Sequence, residues 1–131
     1  MSAARSPAAP STAPSGSDGR AVDSAITSPE QFARFLSDNP ATLVYFAGEG
    51  CGVCAALRPK VAALLVQTFP RLAFGVIDCE HAPELAAAES VFAVPTVVAY
   101  FEGKEFLRMS RSFSMAELRA ELERPYALFF G

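Results

Sequence analysis

The 131-residue chain has no tryptophan, one histidine and only three cysteines, and its 11 Lys and Arg are outnumbered by 14 Asp and Glu. Each scarcity closes a route. A net charge of −3, with the basic residues spread along the chain, supplies no positive surface that could track a phosphate backbone, so no nucleic-acid partner is expected. No segment has the roughly 18 uninterrupted apolar residues of a membrane-spanning helix, so no membrane association is expected. Three cysteines are too few to staple a small secreted domain and point to catalysis or metal binding instead. Residues 1–24, MSAARSPAAPSTAPSGSDGRAVDS, are mostly Ala, Ser, Pro and Gly and cannot bury enough apolar surface to offset their chain entropy. They also lack the apolar run of about 7 to 15 residues that a secretory signal needs. Pro7, Pro10 and Pro14 would break the amphipathic helix of a mitochondrial presequence. The segment reads as a retained disordered tail, residues 25–131 as the folded domain, and the protein as cytoplasmic.

What is present is apolar. With 51% hydrophobic and 19% charged residues, the chain can fill a single core. Ser28-Pro29-Glu30-Gln31 has the form of a capping box with Pro at the first helical position, and Phe32, Phe35 and Leu36 follow at helical spacing. TLVYFA (42–47), LAFGVID (72–78), TVVAYFE (96–102) and EFLRMS (105–110) read as strands, the last two joined by a turn at Glu102-Gly103. Leu57, Val61, Leu64, Leu65 and Phe69 mark the longest helix, about 52–68, with Pro59 inside it. APELAAAES (82–90) reads as a short helix. A second capping box, Ser114 with Glu117, opens a last helix that should stop before Pro125. Strands linked through helices favour parallel, right-handed crossovers, and the closing hairpin adds an antiparallel edge.

The chemistry is concentrated in Cys51-Gly52-Val53-Cys54, placed where a strand ends and a helix begins. Backbone donors are unpaired at a helix N-terminus and the macrodipole is positive there, so a thiolate at Cys51 is stabilised, with the N–H groups of Val53 and Cys54 directed at it. Cys54, one turn further in, is the more buried of the pair. Residues three apart on a helix stand close to disulfide distance, so a small tightening interconverts dithiol and disulfide. Two other readings stay open at this point. Cys51, Cys54, Cys79 and His81 contain ligand types for a Cys3His zinc site, although Cys-x-His is a tight spacing, and the pair could also be two inert buried thiols.

Over about residues 25–124 the chain resembles the thioredoxin family. The resemblance rests on strand TLVYFA, then CGVC, Pro59 five residues beyond the second cysteine, Val94-Pro95-Thr96, the glycine turn and the final helix. It implies an α/β fold, a thioredoxin-like three-layer α/β/α sandwich with a mixed central sheet. It implies that Cys51 attacks a substrate disulfide and that Cys54 resolves the mixed disulfide, while Gly52, Val53, Val94 and a cis Pro95 meet the substrate in a mildly apolar rim that Gly50 and Val91 complete. No cofactor and no metal are implied. The expected partners are protein disulfides and an electron donor, either a thioredoxin reductase or a small thiol, met by a monomer. Three positions depart from the family pattern: its usual Trp before the first cysteine is Gly50, its buried acid is Tyr45, and the lysine that partners that acid is Val76. These departures motivate an alternative, a thioredoxin-fold binding or assembly module with weak redox turnover.

Overall fold

A computed structural model describes residues 24–131, so the expected tail lies almost wholly outside the described residues. Nine elements follow one another: β1 Ser24–Ile26, α1 Pro29–Asp38, β2 Ala41–Ala47, α2 Gly52–Thr68, β3 Ala73–Asp78, α3 Pro83–Ala88, β4 Thr96–Phe101, β5 Lys104–Ser110 and α4 Met115–Phe130. The strands form one sheet in the order β1-β3-β2-β4-β5. β3 runs parallel to both β1 and β2, whereas β2–β4 and β4–β5 are antiparallel, so the sheet is mixed.

Strand alternation divides the core between the two faces. Leu43, Tyr45, Phe74, Val97 and Phe101 face Val61, Leu65, Leu118 and Leu122, which belong to α2 and α4. Val44, Phe46, Ile77 and Val98 face Phe32 of α1 and Leu85 of α3. This is the α/β/α sandwich that the resemblance implied. β2 is central and six of its seven residues are buried, as a strand covered on both sides must be.

Local chemistry sets the boundaries. Ser28 caps α1 by accepting from Gln31 N at 3.1 Å. The expected box is only half formed, because the Gln31 side chain reaches past Ser28 to Thr27 N and Oγ1 at 2.7 and 2.8 Å. The Ser114–Glu117 box is complete, at 3.0 and 2.8 Å. Glu102 and Gly103 both take positive φ, 53° and 79°, which suits a tight hairpin turn between strands that twist to the right.

Two expectations are corrected. β1 is an additional strand that no apolar alternation announced; it docks on β3 where a Cβ on Gly75 would lie 2.7 Å from Ile26 Cδ1, so the missing side chain admits the strand. The last helix does not stop before Pro125 but continues to Phe130. Pro125 forfeits the hydrogen bond to the Glu121 carbonyl, and the extra turn is held by rings instead: Tyr126 packs edge-on to Phe69 at 5.1 Å and Phe129 lies 5.2 Å from Phe101. The Tyr126 hydroxyl also accepts from Arg71 N at 3.1 Å, so the C-terminal aromatics fold back on the domain.

Candidate active site

The end of β2 delivers the chain through Gly48, Glu49 and Gly50 to Cys51, the N-cap of α2. Gly50 has φ +76°, in the left-handed region that a residue with a Cβ enters only at a cost. Cys51 N donates to the Gly48 carbonyl at 3.3 Å, which closes the turn. Cys54 N donates to Cys51 Sγ at 3.1 Å, so the sulfur serves as the helix cap. This is narrower than expected: the donor seen on the sulfur is Cys54, one residue beyond Val53. Cys51 and Cys54 are joined in a disulfide with their Cα atoms 5.2 Å apart. The two sulfurs are not equivalent, since Cys51 is half-buried at the helix mouth and Cys54 is only 3% exposed.

Around Cys51, Gly52 is exposed and Val53 is 62% exposed. Val94 packs against the same apolar cluster as Cys51, and the Val94–Pro95 peptide bond is cis. Thr96 explains the third residue of that motif: its hydroxyl donates to the Ala93 carbonyl at 2.7 Å, bracing the loop just ahead of β4, and lies 3.0 Å from Ser110 Oγ. Arg111 N donates to the Pro95 carbonyl at 2.7 Å. Sequence reasoning missed the clamp on the other end of this loop. Arg108 on β5 donates to the carbonyls of Glu89 and Ser90 at 2.7 and 3.2 Å while pairing with Glu105 at 2.9 Å. A cation there answers the orphan carbonyls where α3 ends. Val91, expected in the rim, is only 7% exposed and packs in the other core; the exposed apolar side chain of that loop is Phe92, at 85%.

Beside the disulfide lies a cavity of about 450 Å3 whose lining includes Gly50, Cys51, Cys54, Arg58, Val76 and Asp78. A separate groove of about 330 Å3 runs past Cys79, Phe92 and Val94.

A thioredoxin family model matches residues 23–124. The chain belongs to the thioredoxin family. It is 34% identical over 97 residues to the thioredoxin-like protein YdfQ of Bacillus subtilis, covering 74% of this chain and 86% of that one. It is 31% identical over 96 residues to Thioredoxin C-3 of Corynebacterium nephridii, covering 72% of this chain and 66% of the relative. Among solved structures, a single-site mutant of a thioredoxin from Halobacterium salinarum superposes with a TM-score of 0.73 at 27% identity, over 83% of this chain and 93% of that one. Thiol–disulfide exchange is therefore the chemistry of this thioredoxin-family domain, and disulfide substrates and reductases are the family's partners in general.

The departures from the family pattern have a local explanation. Tyr45, where the family's buried acid stands, is fully buried and donates its hydroxyl to the Cys54 carbonyl at 2.7 Å. Burial pushes its phenol up to about 12, with the Arg58 charge pulling the other way, so at neutral pH it is a hydrogen-bond donor and not a base. Val76 is the β3 residue directly opposite it in the parallel register. Glu49 is exposed, as a surface charge would be.

Cys79 ends up half-buried, its thiol pushed up to about 11 by burial first and then by the charges of Asp78 and Glu80. His81 is 67% exposed, with Nδ1 3.0 Å from Asp78 Oδ2. Among the described residues no three His, Cys, Asp or Glu side chains converge as a metal site would require.

Proposed function

We propose that this domain reduces protein disulfides, with Cys51 as the attacking thiol and Cys54 as the resolving one. The carrying observation is the asymmetry of the pair. Cys51 stands at the mouth of a helix with a backbone donor on its sulfur, and Cys54 lies beneath it at 3% exposure. An incoming disulfide meets Cys51 first. The Cys51 thiolate attacks one substrate sulfur, the other leaves as a thiolate and takes up a proton, and a mixed disulfide remains. Cys54, as thiolate, then attacks Cys51 Sγ, releasing the second substrate thiol and leaving Cys51–Cys54 oxidised. The substrate segment lies extended beside Val94 and Pro95, with Gly52 and the exposed Val53 on its other side. These contacts are small and apolar and suit flexible segments of varied sequence. Electrons return from a thioredoxin reductase or a small thiol, and a reducing cytoplasmic pool meeting a monomer fits this cycle.

The test is trapping. Cys54→Ser keeps the attack and loses the resolution, so it accumulates mixed disulfides with a disulfide-bonded client protein, visible as a thiol-sensitive mass shift. Cys51→Ser should trap at least about tenfold less. Equal trapping by the two variants would reverse or dissolve the assignment.

A further inference from the structure

Glu105 and Arg108 lie three apart on β5, where a regular strand would turn their side chains to opposite faces of the sheet. They meet because the ladder slips between them. Glu105 stands opposite Tyr100 and Leu107 opposite Ala99, which leaves Phe106 as an extra residue on β5. The bulge puts Glu105 and Arg108 on the face shared by Val98 and Tyr100, the side of the sheet that α3 covers. There Arg108 Nε and Nη2 donate to the two oxygens of Glu105, each at 2.9 Å, so the guanidinium is held in place on its own strand.

What Arg108 grips is the end of α3. Val91 N donates to the Ala86 carbonyl at 2.9 Å and Ser90 N to the Ala87 carbonyl at 3.0 Å, the pair of bonds that closes a helix around a left-handed residue. That residue is Ser90, at φ 59°, where glycine is the usual choice and a side chain carries a cost. Arg108 donates to the carbonyls on either side of the turn, those of Glu89 and Ser90, and the Glu89 carboxylate accepts from the Tyr100 hydroxyl at 2.7 Å. The far end of the loop is fastened from the same strand: Thr96 Oγ1 meets Ser110 Oγ at 3.0 Å, and Arg111 N, one residue beyond β5, donates to the Pro95 carbonyl at 2.7 Å. Between the two fastenings stand Phe92, 85% exposed, and Val94, whose Cγ2 would lie 3.3 Å from a Cβ on Gly48, on the approach to Cys51.

We propose that Arg108 is a positioning residue for disulfide exchange: by gripping residues 89 and 90 it holds the 91–95 loop in the shape that presents Phe92 and Val94 to a protein substrate. The inference rests on the oxidoreductase reading above and names what shapes the substrate edge of that same site. Arg108 acts through the loop and not on the sulfurs. With the clasp in place the loop is ordered as part of the fold. Without it the strained turn at Ser90 relaxes, and a protein segment has to order the loop as it docks. That cost falls on binding, so it weakens the hold on a protein substrate and leaves the sulfur chemistry unaltered. A small disulfide reaches Cys51 Sγ without lying along the loop and meets the same thiolate either way.

The experiment compares the wild type with Arg108→Gln, Arg108→Lys and Glu105→Gln on two substrates, below the onset of each variant's melt. One is insulin, with dithiothreitol as electron source. The other is hydroxyethyl disulfide, added in excess to the reduced protein and followed by alkylation and mass. In Arg108→Gln the KM for insulin should rise about three- to tenfold with kcat within about twofold, the signature of lost binding. Arg108→Lys should fall between, because an ammonium serves one carbonyl and cannot fork across the carboxylate. Glu105→Gln keeps the grip but frees the guanidinium, and should raise KM about twofold. The rate with the small disulfide should stay within about 1.5-fold in all three, as an interaction spent on binding requires, and the potential against glutathione should not move. An insulin KM that stays at the wild-type value in these variants, whatever their Tm, would overturn the proposal. So would equal losses on both substrates, which would place the effect at the sulfurs. Should Arg108→Gln not fold, Arg108→Lys and Glu105→Gln carry the same test. Failure of the oxidoreductase reading looks different: the wild type itself would then reduce insulin no faster than dithiothreitol alone.

Discussion

The hydroxyl of Tyr45, at the centre of β2, donates to the main-chain carbonyl of Cys54 at 2.7 Å. The bond ties the middle strand of the sheet to the first turn of the helix that carries both reactive sulfurs. Tyr45 is fully buried, so Tyr45→Phe removes a shielded donor and leaves the carbonyl without it. The expected cost is about 1 kcal/mol, or a Tm lower by about 4–8 °C for a domain of this size. Because the phenol holds its proton up to about pH 12, the pH profile of disulfide reduction between about pH 6 and 9 should keep its shape. Thermal melts and a pH series on the same variant check both halves.

Much of this arrangement was legible before the structure. Elements with whole periods in the sequence, such as TLVYFA and the apolar series from Leu57 to Phe69, lie where the pattern put them, because each buries a regular face. The misses share a cause, namely partners distant along the chain. β1 has one buried apolar residue, Ile26, and exists because Gly75 opposite lacks a side chain. Pro125 looks like a terminator until Phe69 and Phe101 are seen holding the turn beyond it. Arg108 reads as a surface strand residue, yet it clasps the Glu89 and Ser90 carbonyls 19 and 18 positions away. The two cysteines stood out by their spacing at a strand-to-helix junction, and the resemblance supplied their roles. The cavity beside the disulfide did not stand out, since an opening is made by side chains that are missing from several elements at once.

Cys79 should make the folded protein sensitive to alkali. Burial and its acidic neighbours raise the thiol from 9.0 to about 11, so the folded state keeps a proton that the unfolded chain gives up earlier. That contribution to stability is whole below about pH 9 and is lost as the pH climbs through about 11. Cys79→Ser carries no such proton, so urea midpoints measured from about pH 8 to 11 should fall less steeply in the variant. At neutral pH its rate of disulfide reduction should stay within about twofold of wild type, under roughly 0.4 kcal/mol in barrier.

Val53→Pro examines how the helix terminus sets the redox poise. The hydrogen bond seen on Cys51 Sγ comes from Cys54, so the Val53 N–H contributes only its dipole at longer range. Proline would withhold that donor and leave the thiolate slightly less stabilised, making the couple more reducing. The shift should stay below about 30 mV, the equivalent of about 1.4 kcal/mol in a two-electron couple, with a small rise in the Cys51 pKa. Equilibration against glutathione measures it; a shift in the oxidising direction would show that the terminus does not act through its donors.

The most direct test of the account is reduction of insulin by the wild-type protein and by Cys51→Ser, with dithiothreitol as the electron source. The expected result is turnover by the wild type well above the uncatalysed rate, and Cys51→Ser at the level of dithiothreitol alone. Equal rates for the two proteins would contradict the assignment of Cys51 as the attacking thiol and, with it, the mechanism built on the Cys51–Cys54 pair.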